Sequence, residues 1–158
     1  MANANFIPVN GVISDIEPTP EMCCETLVTI QTEDGIEQFI IAPDTYVING
    51  IRLRPGMQVA AFYDGNAPAL LLYPPRHQAV VIGQRRPRET IVIDYFDENL
   101  VGTDNSLKIN PDFTTEIVTS NGQKYSCEIS NQYLIVYYSI TTRSIPPQTT
   151  PRKIIVIC

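Results

Sequence analysis

Two stretches of this chain share one plan, and that plan limits the fold more than any other feature. Residues 59–82 read VAAFYDGNAPALLLYPPRHQAVVI, and residues 134–158 read LIVYYSITTRSIPPQTTPRKIIVIC. Each opens on a short apolar run closed by two aromatics, Phe62-Tyr63 and Tyr137-Tyr138. Each continues through a turn-prone connection holding a Pro-Pro pair, Pro74-Pro75 or Pro146-Pro147. Each ends on an aliphatic run after Pro75-Arg76 or Pro151-Arg152. Proline lacks the amide that a helix interior or a central ladder needs, so the connections read as loops and the flanking runs as strands.

The remaining segments extend the parallel. Residues 6–17 read as a first strand, with Gly11 marking a bend or bulge. The stretch 18–25 reads as a loop. Residues 26–32 and 36–42 form a hairpin around Asp34-Gly35, because a tight two-residue turn favours positive φ. Pro43-Asp44, Asn49-Gly50 and Arg54-Pro55-Gly56 are turns before the run 57–63. In the second half, 90–96 stands where the first strand stood, and Gly102–Ser106 takes the place of the hairpin turn. Thr115–Val118 matches Thr45–Ile48, and Asn121-Gly122 matches Asn49-Gly50. No stretch shows a 3.6-residue apolar stripe. A repeat of about 75 residues is too long for a solenoid.

The expected fold is therefore all-β, as two tandem small five-stranded OB-like barrels, residues 1–84 and 85–158, joined at the polar linker 84–89. One continuous β-sandwich is the alternative. A domain of about 75 residues buries only roughly 60% of its unfolded surface. The two barrels are accordingly expected to pack together, or the chain to dimerise.

Charge and cysteine usage narrow the function classes. Of 17 acidic and 11 basic side chains, nine acidic and three basic fall in residues 1–83, an acidic half that repels phosphate. Nucleic acid is thus a disfavoured partner. No window of about 18 apolar residues exists to span a membrane. The start MANANFIPVNG lacks the charged and apolar parts of a secretory signal, which points to a cytoplasmic protein. A trimmed leader would open an envelope or secreted location. Reduced thiols are the expectation for the four cysteines.

The run 44–57, DTYVINGIRLRPGM, with FYDGNAP (62–68) and YPPRHQAVVI (73–82), resembles a group of uncharacterised tandem β-barrel proteins from anaerobic Gram-positive bacteria. The segment 137–157 is similar to the same group, and it also resembles modules that precede stalk domains in secreted proteins of such bacteria. The resemblance implies a β-barrel module and, through the secreted relatives, leaves an envelope location open. It implies no chemistry.

Individual side chains offer few sites. Cys23-Cys24, adjacent thiols, are the only metal or redox candidates, and Glu21 and Glu25 beside them disfavour a reactive thiolate. Cys127 and Cys158 are a conceivable pair that sequence alone does not establish. His77, the single histidine, lacks any accompanying nucleophile motif, so no catalytic residue is assigned. Asp94, Asp97, Glu98 and Asp104 read as a solvated turn, because their spacing is not that of a calcium loop. Arg85, Arg86 and Arg88, with Arg76, Tyr73 and the ring pair 62–63, could line a phosphate-attracting groove, with ion pairing to the acidic half as the simpler account. Neighbours on a strand face opposite ways, so one ring of each aromatic pair should point outward. Candidate binding residues are Tyr63, Tyr73, Arg76, His77, Tyr137 and Arg152. No pattern calls for a cofactor. The expected function is a non-enzymatic module acting by protein binding or assembly. The alternatives are a barrel face for an oligosaccharide or single strand, or a thiol role at Cys23-Cys24.

Overall fold

The computed structural model describes residues 5–19, 22–68 and 72–157. The protein is all-β. Thirteen strands in three sheets, and two short 3-10 turns, make up the regular structure of the described residues. The chain divides into two compact units between Arg86 and Pro87, inside the polar linker. No sheet among the described residues draws strands from both units.

The first unit contains β1 (Phe6–Thr19), β2 (Met22–Thr32), β3 (Gly35–Ile41), β4 (Tyr46–Val47), β5 (Gln58–Asp64), β6 (Arg76–Gln78) and β7 (Val81–Gln84). Its sheet order is β4-β7-β5-β1-β2-β3-β6. β1 belongs to two ladders at once. Residues 6–12 pair antiparallel with β5, and residues 12–19 pair antiparallel with β2. Gly11 stands where the ladders change over. A Cβ on it would collide with the Gln31 carbonyl oxygen and come within 2.6 Å of Ile30 Cγ2. Only glycine lets the strands approach this closely.

The Asp-Gly hairpin is present, with its turn one residue earlier than the dipeptide suggests. Thr32 pairs with Gly35, so Glu33-Asp34 is the two-residue loop and Gly35, at φ 136°, opens β3. The Thr32 hydroxyl donates to the Gly35 carbonyl and accepts from the Asp34 amide. The expected loop at 18–25 is instead mostly ladder: Pro18 pairs with Thr26 and Thr19 with Met22. The antiparallel pairing established over 12–17 carries on past proline, where strand ends tolerate a missing amide. Pro20 and Glu21 lie outside the described residues, as do Leu70 and Leu71 of the long loop.

β6 and β7 behave as one bent strand. Arg76–Gln78 runs parallel to β3, with the Gln38 amide donating to the Pro75 carbonyl. At Val80 the amide turns to the Phe62 carbonyl, and β7 pairs antiparallel with β5. The circuit β1-β2-β3-β6/β7-β5-β1 is thereby closed. Val9, Ile13, Val28, Ile30, Phe39, Val59, Ala61 and Ile82 fill it. Each such buried Val, Ile or Phe side chain contributes about 1.5–3 kcal/mol. β4 adds a parallel edge on β7.

The second unit contains β8 (Thr90–Phe96), β9 (Lys108–Ile109), β10 (Glu116–Thr119), β11 (Gln132–Tyr138), β12 (Gln148–Thr149) and β13 (Lys153–Val156). β8 pairs antiparallel with β11, and β11 antiparallel with β13. β12 runs parallel to β9, and β13 parallel to β10. These are the relations of β1, β5, β7, β3, β6 and β4 in the first unit. The long β2 is missing. Two isolated bridges, Phe96 to Gly102 and Val101 to Lys108, carry the ladder in its place. The units thus contain seven and six strands rather than five each. Short edge segments and the division of each closing strand raise the count. Phe96, Leu107, Ile109, Leu134, Val136, Ile154 and Val156 form the inner cluster.

One ring of each aromatic pair, Phe62 and Tyr137, does face away from the inner clusters, but neither is open to solvent: they are 0% and 4% exposed. Their neighbours Tyr63 and Tyr138 pack against those clusters. The central strands β5 and β11 are buried on both faces, so alternation does not translate into exposure.

Gly11→Ala should cost about 1–3 kcal/mol, because backbone rather than a flexible side chain obstructs the added methyl. Urea denaturation of the full chain measures this. Asn10→Ala, at an exposed neighbour, should stay within about 0.5 kcal/mol of the parent.

Candidate functional site

In each unit a groove lies between the loop leaving the central strand and the first half of the closing strand. In the first unit Asp64 ends β5 and its side chain accepts the Asn66 amide, turning the loop sharply. The groove has a volume of about 460 Å³ and is lined by Tyr63, Asp64, Pro68, Arg76 and His77 among others. His77 is held from three sides. Its Nε2 lies 2.9 Å from Glu37 Oε1, its ring stacks on Tyr63 at 3.8 Å and 7°, and Phe39 lies 5.1 Å away. The cross-strand pairing of His77 with Phe39 produces this arrangement. Arg76 donates to Gln38 Oε1 at 3.2 Å and is exposed. The described lining contains no Ser, Thr or Cys that His77 could activate.

The groove of the second unit has a volume of about 640 Å³. Hydroxyl and amide side chains dominate it: Asn110, Ser139, Thr141, Thr142, Gln148 and Thr150. Part of this lining is fixed internally. Thr149 donates to the Ile140 carbonyl at 2.6 Å, Thr142 accepts the Gln148 amide at 3.0 Å, and Asn110 donates to Gln148 Oε1 at 3.0 Å. Arg152 is the one charged side chain in the lining. Glu89, 4% exposed, takes it in a two-point ion pair at 2.7 and 2.9 Å. The hydrogen bond to Glu89 raises the Arg152 pKa above its usual value, and burial opposes it. The guanidinium also lies 5.1 Å from the centre of the Tyr137 ring.

Hydrogen bonds fix which positions correspond. Gln38 donates to Pro75 as Lys108 donates to Pro147. Tyr46 donates to Val80 as Glu116 donates to Arg152. The hydroxyls of Thr45 and Thr115 donate to Ala79 and Pro151. The Pro-Pro pairs therefore coincide, each with its first proline cis. The Pro-Arg pairs do not coincide: Arg152 stands where Val80 does, and Thr149 where His77 does. The sequence match of Pro75-Arg76 with Pro151-Arg152 therefore misplaces the closing strand, because the ladder pairing and not the local Pro-Arg likeness sets its register.

The candidate residues separate accordingly. Tyr63, Arg76 and His77 meet in the first groove, and Arg152 lines the second. Tyr137 is buried beside Arg152 and lines neither. Tyr73 lies on the loop outside the groove, 86% exposed. Arg85, Arg86 and Arg88 line neither groove, and Phe62 is too deeply buried to serve them as a stacking platform. Cys23 and Cys24 sit on β2 rather than in a loop. Both are exposed, and strand geometry sends adjacent thiols to opposite faces. Cys127 is exposed, and Cys158 lies outside the described residues. No group of three or more His, Cys, Asp or Glu that could hold a metal occurs among the described residues. The acidic turn is structural: Asp94 accepts from Thr103 and Ser106, and Asp97 accepts from Asn99 and Val101.

Sequence reasoning missed Glu89, placed in the linker, and the exposed Phe113, Ile140 and Ile145. Glu89 directly precedes the run TIVIDYF, a position that could have marked it as part of the strand's start rather than the linker. Ile145 could have been found from the Pro-Pro match with Tyr73.

No family model matches the chain, and no curated protein shows significant similarity to it. No helix among the described residues is long and apolar enough to cross a membrane.

Glu89→Gln keeps the shape and removes the charge that holds Arg152. The expected loss is about 1–2 kcal/mol in urea denaturation, below the value for a fully buried pair because the guanidinium is more than a third exposed. An unchanged midpoint would show that the pair contributes nothing net.

Proposed function

We propose that the chain is a non-enzymatic tandem module of two OB-like barrels, arisen by duplication, that works by protein binding and assembly. The matching strand pairings, the bent first strand and the closed five-membered circuit support the barrel and repeat parts of this reading. The resemblance of residues 44–82 and 137–157 to tandem barrel proteins belongs to the same proposal.

One observation carries the assembly part. The residue before each Pro-Pro pair is a large apolar side chain in solvent: Tyr73 is 86% and Ile145 is 92% exposed. Single exposed apolar residues are ordinary and need no explanation. Two at one equivalent position, each beside a rigid proline pair, are a better basis for a contact. Hydrophobic burial yields about 25 cal/mol per Å² of apolar surface removed from water, and little loop entropy is lost when proline has already fixed the backbone. Each unit offers one such tip, so a chain has two attachment points and gains from multivalency. A second copy of the chain is the first partner in line, since the tips themselves are apolar and like can meet like.

Sedimentation equilibrium, from low micromolar to near-millimolar protein, tests this. The average mass of the parent chain should rise with concentration, and the Tyr73→Ser/Ile145→Ser double variant should remain monomeric with an unaltered circular dichroism spectrum. A parent chain that stays monomeric throughout overturns self-assembly.

A further inference from the structure

The two grooves occupy the same place but offer opposite chemistry. The first is lined by ionisable side chains, Asp64, Arg76 and His77. The second has a single charge, Arg152, already neutralised by Glu89. Its remaining polar lining is hydroxyl and amide. Ser139, Thr141 and Thr150 make no side-chain hydrogen bond among the described residues, leaving three hydroxyls able both to donate and to accept. Apolar surface accompanies them. Ile140 lines the groove and is 82% exposed. Phe113, 97% exposed, is the chain neighbour of Thr114, which also lines it.

The turn carrying Phe113 is fixed in place. Asp112 accepts both the amide and the hydroxyl of Thr114, and the Thr115 hydroxyl donates to the carbonyl of Pro151, itself part of the groove wall. The Thr114 hydrogen bonds hold the Asp112 carboxyl below its ordinary pKa, so the turn keeps this form at neutral pH. The volume, about 640 Å³, falls within the range of roughly 300–1,000 Å³ common for small-molecule sites.

We propose that this second groove binds a neutral oligosaccharide. A sugar ring presents hydroxyls around its edge and C–H groups on its faces. Ser139, Thr141 and Thr150 suit the edge, while the exposed Ile140 side chain suits a face. Single-stranded nucleic acid suits it less, because phosphates need free cations and the groove offers none. Assembly through Tyr73 and Ile145 is independent of this site, since neither residue lines it.

Amide correlation spectra of the full chain, titrated with cellotetraose, maltotetraose or chitotetraose, provide the test. At least one should give saturable shifts centred on residues 139–142 and 148–152. Ile140→Ala and Thr150→Val should each weaken that binding several-fold, with the rest of the spectrum unchanged. The Tyr73→Ser/Ile145→Ser variant should bind as the parent does. The proposal is overturned if no saccharide shifts these amides at millimolar concentration, if only a single-stranded oligothymidylate does, or if Ile140→Ala and Thr150→Val both leave the affinity unchanged.

Discussion

Each unit depends on one segment that changes partner halfway along. In the first, residues 75–79 bond to β3 and residues 80–84 to β5. In the second, β12 bonds to β9 and β13 to β11. Without this switch both sheets would have open edges, with unpaired amides and carbonyls on each side. With it, the ladders close and the inner side chains are enclosed. The other devices serve the same closure. Gly11 lets β1 cross between ladders, and the hydroxyls of Thr45 and Thr115 tie the preceding turn to the switch itself.

Closure by a like route leaves room for the units to differ elsewhere. β1 and β2 form a long twisted hairpin in the first unit, while two bridges suffice in the second. The side chain at the switch differs too. Val80 occupies it in one unit, and Arg152, anchored to Glu89, in the other. The Glu89–Arg152 pair joins the residue just before β8 to the residue just before β13. Buried ion pairs give less net stability than their short distances suggest. Their value here is positional, because a carboxylate buried at one place accepts a guanidinium in few geometries.

The strand content and most turns were legible in the sequence because they rest on local chemistry. Proline, Asn-Gly and Asp-Gly constrain φ over two or three residues, and alternating apolar runs reveal β structure without reference to the rest of the fold. The groove around His77 was partly legible, since Arg76 and His77 adjoin a Pro-Pro loop that had its own signal. What failed depended on long-range pairing. The correspondence of Arg152 with Val80 follows from which carbonyls Tyr46 and Glu116 reach, and no local likeness encodes that. The burial of Phe62 and Tyr137 needed knowledge that β5 and β11 are central and covered on both faces. The hydroxyl-rich groove was invisible because its members come from four separate places in the chain.

The closing segments also have a consequence for how the protein is made. In each unit the ring is completed by its last-synthesised strand, and the bonds it forms reach back across tens of residues. Contacts so distant in sequence slow folding, since the intervening loop must be ordered before any bond rewards it. Until β6 and β7 emerge from the ribosome, the edges of β3 and β5 are bare and able to pair with another nascent chain. The first unit can nonetheless finish while the second is still being translated, because each circuit is complete within its own unit. In each unit the vulnerability to misassembly thus ends when the strand after its Pro-Pro pair docks.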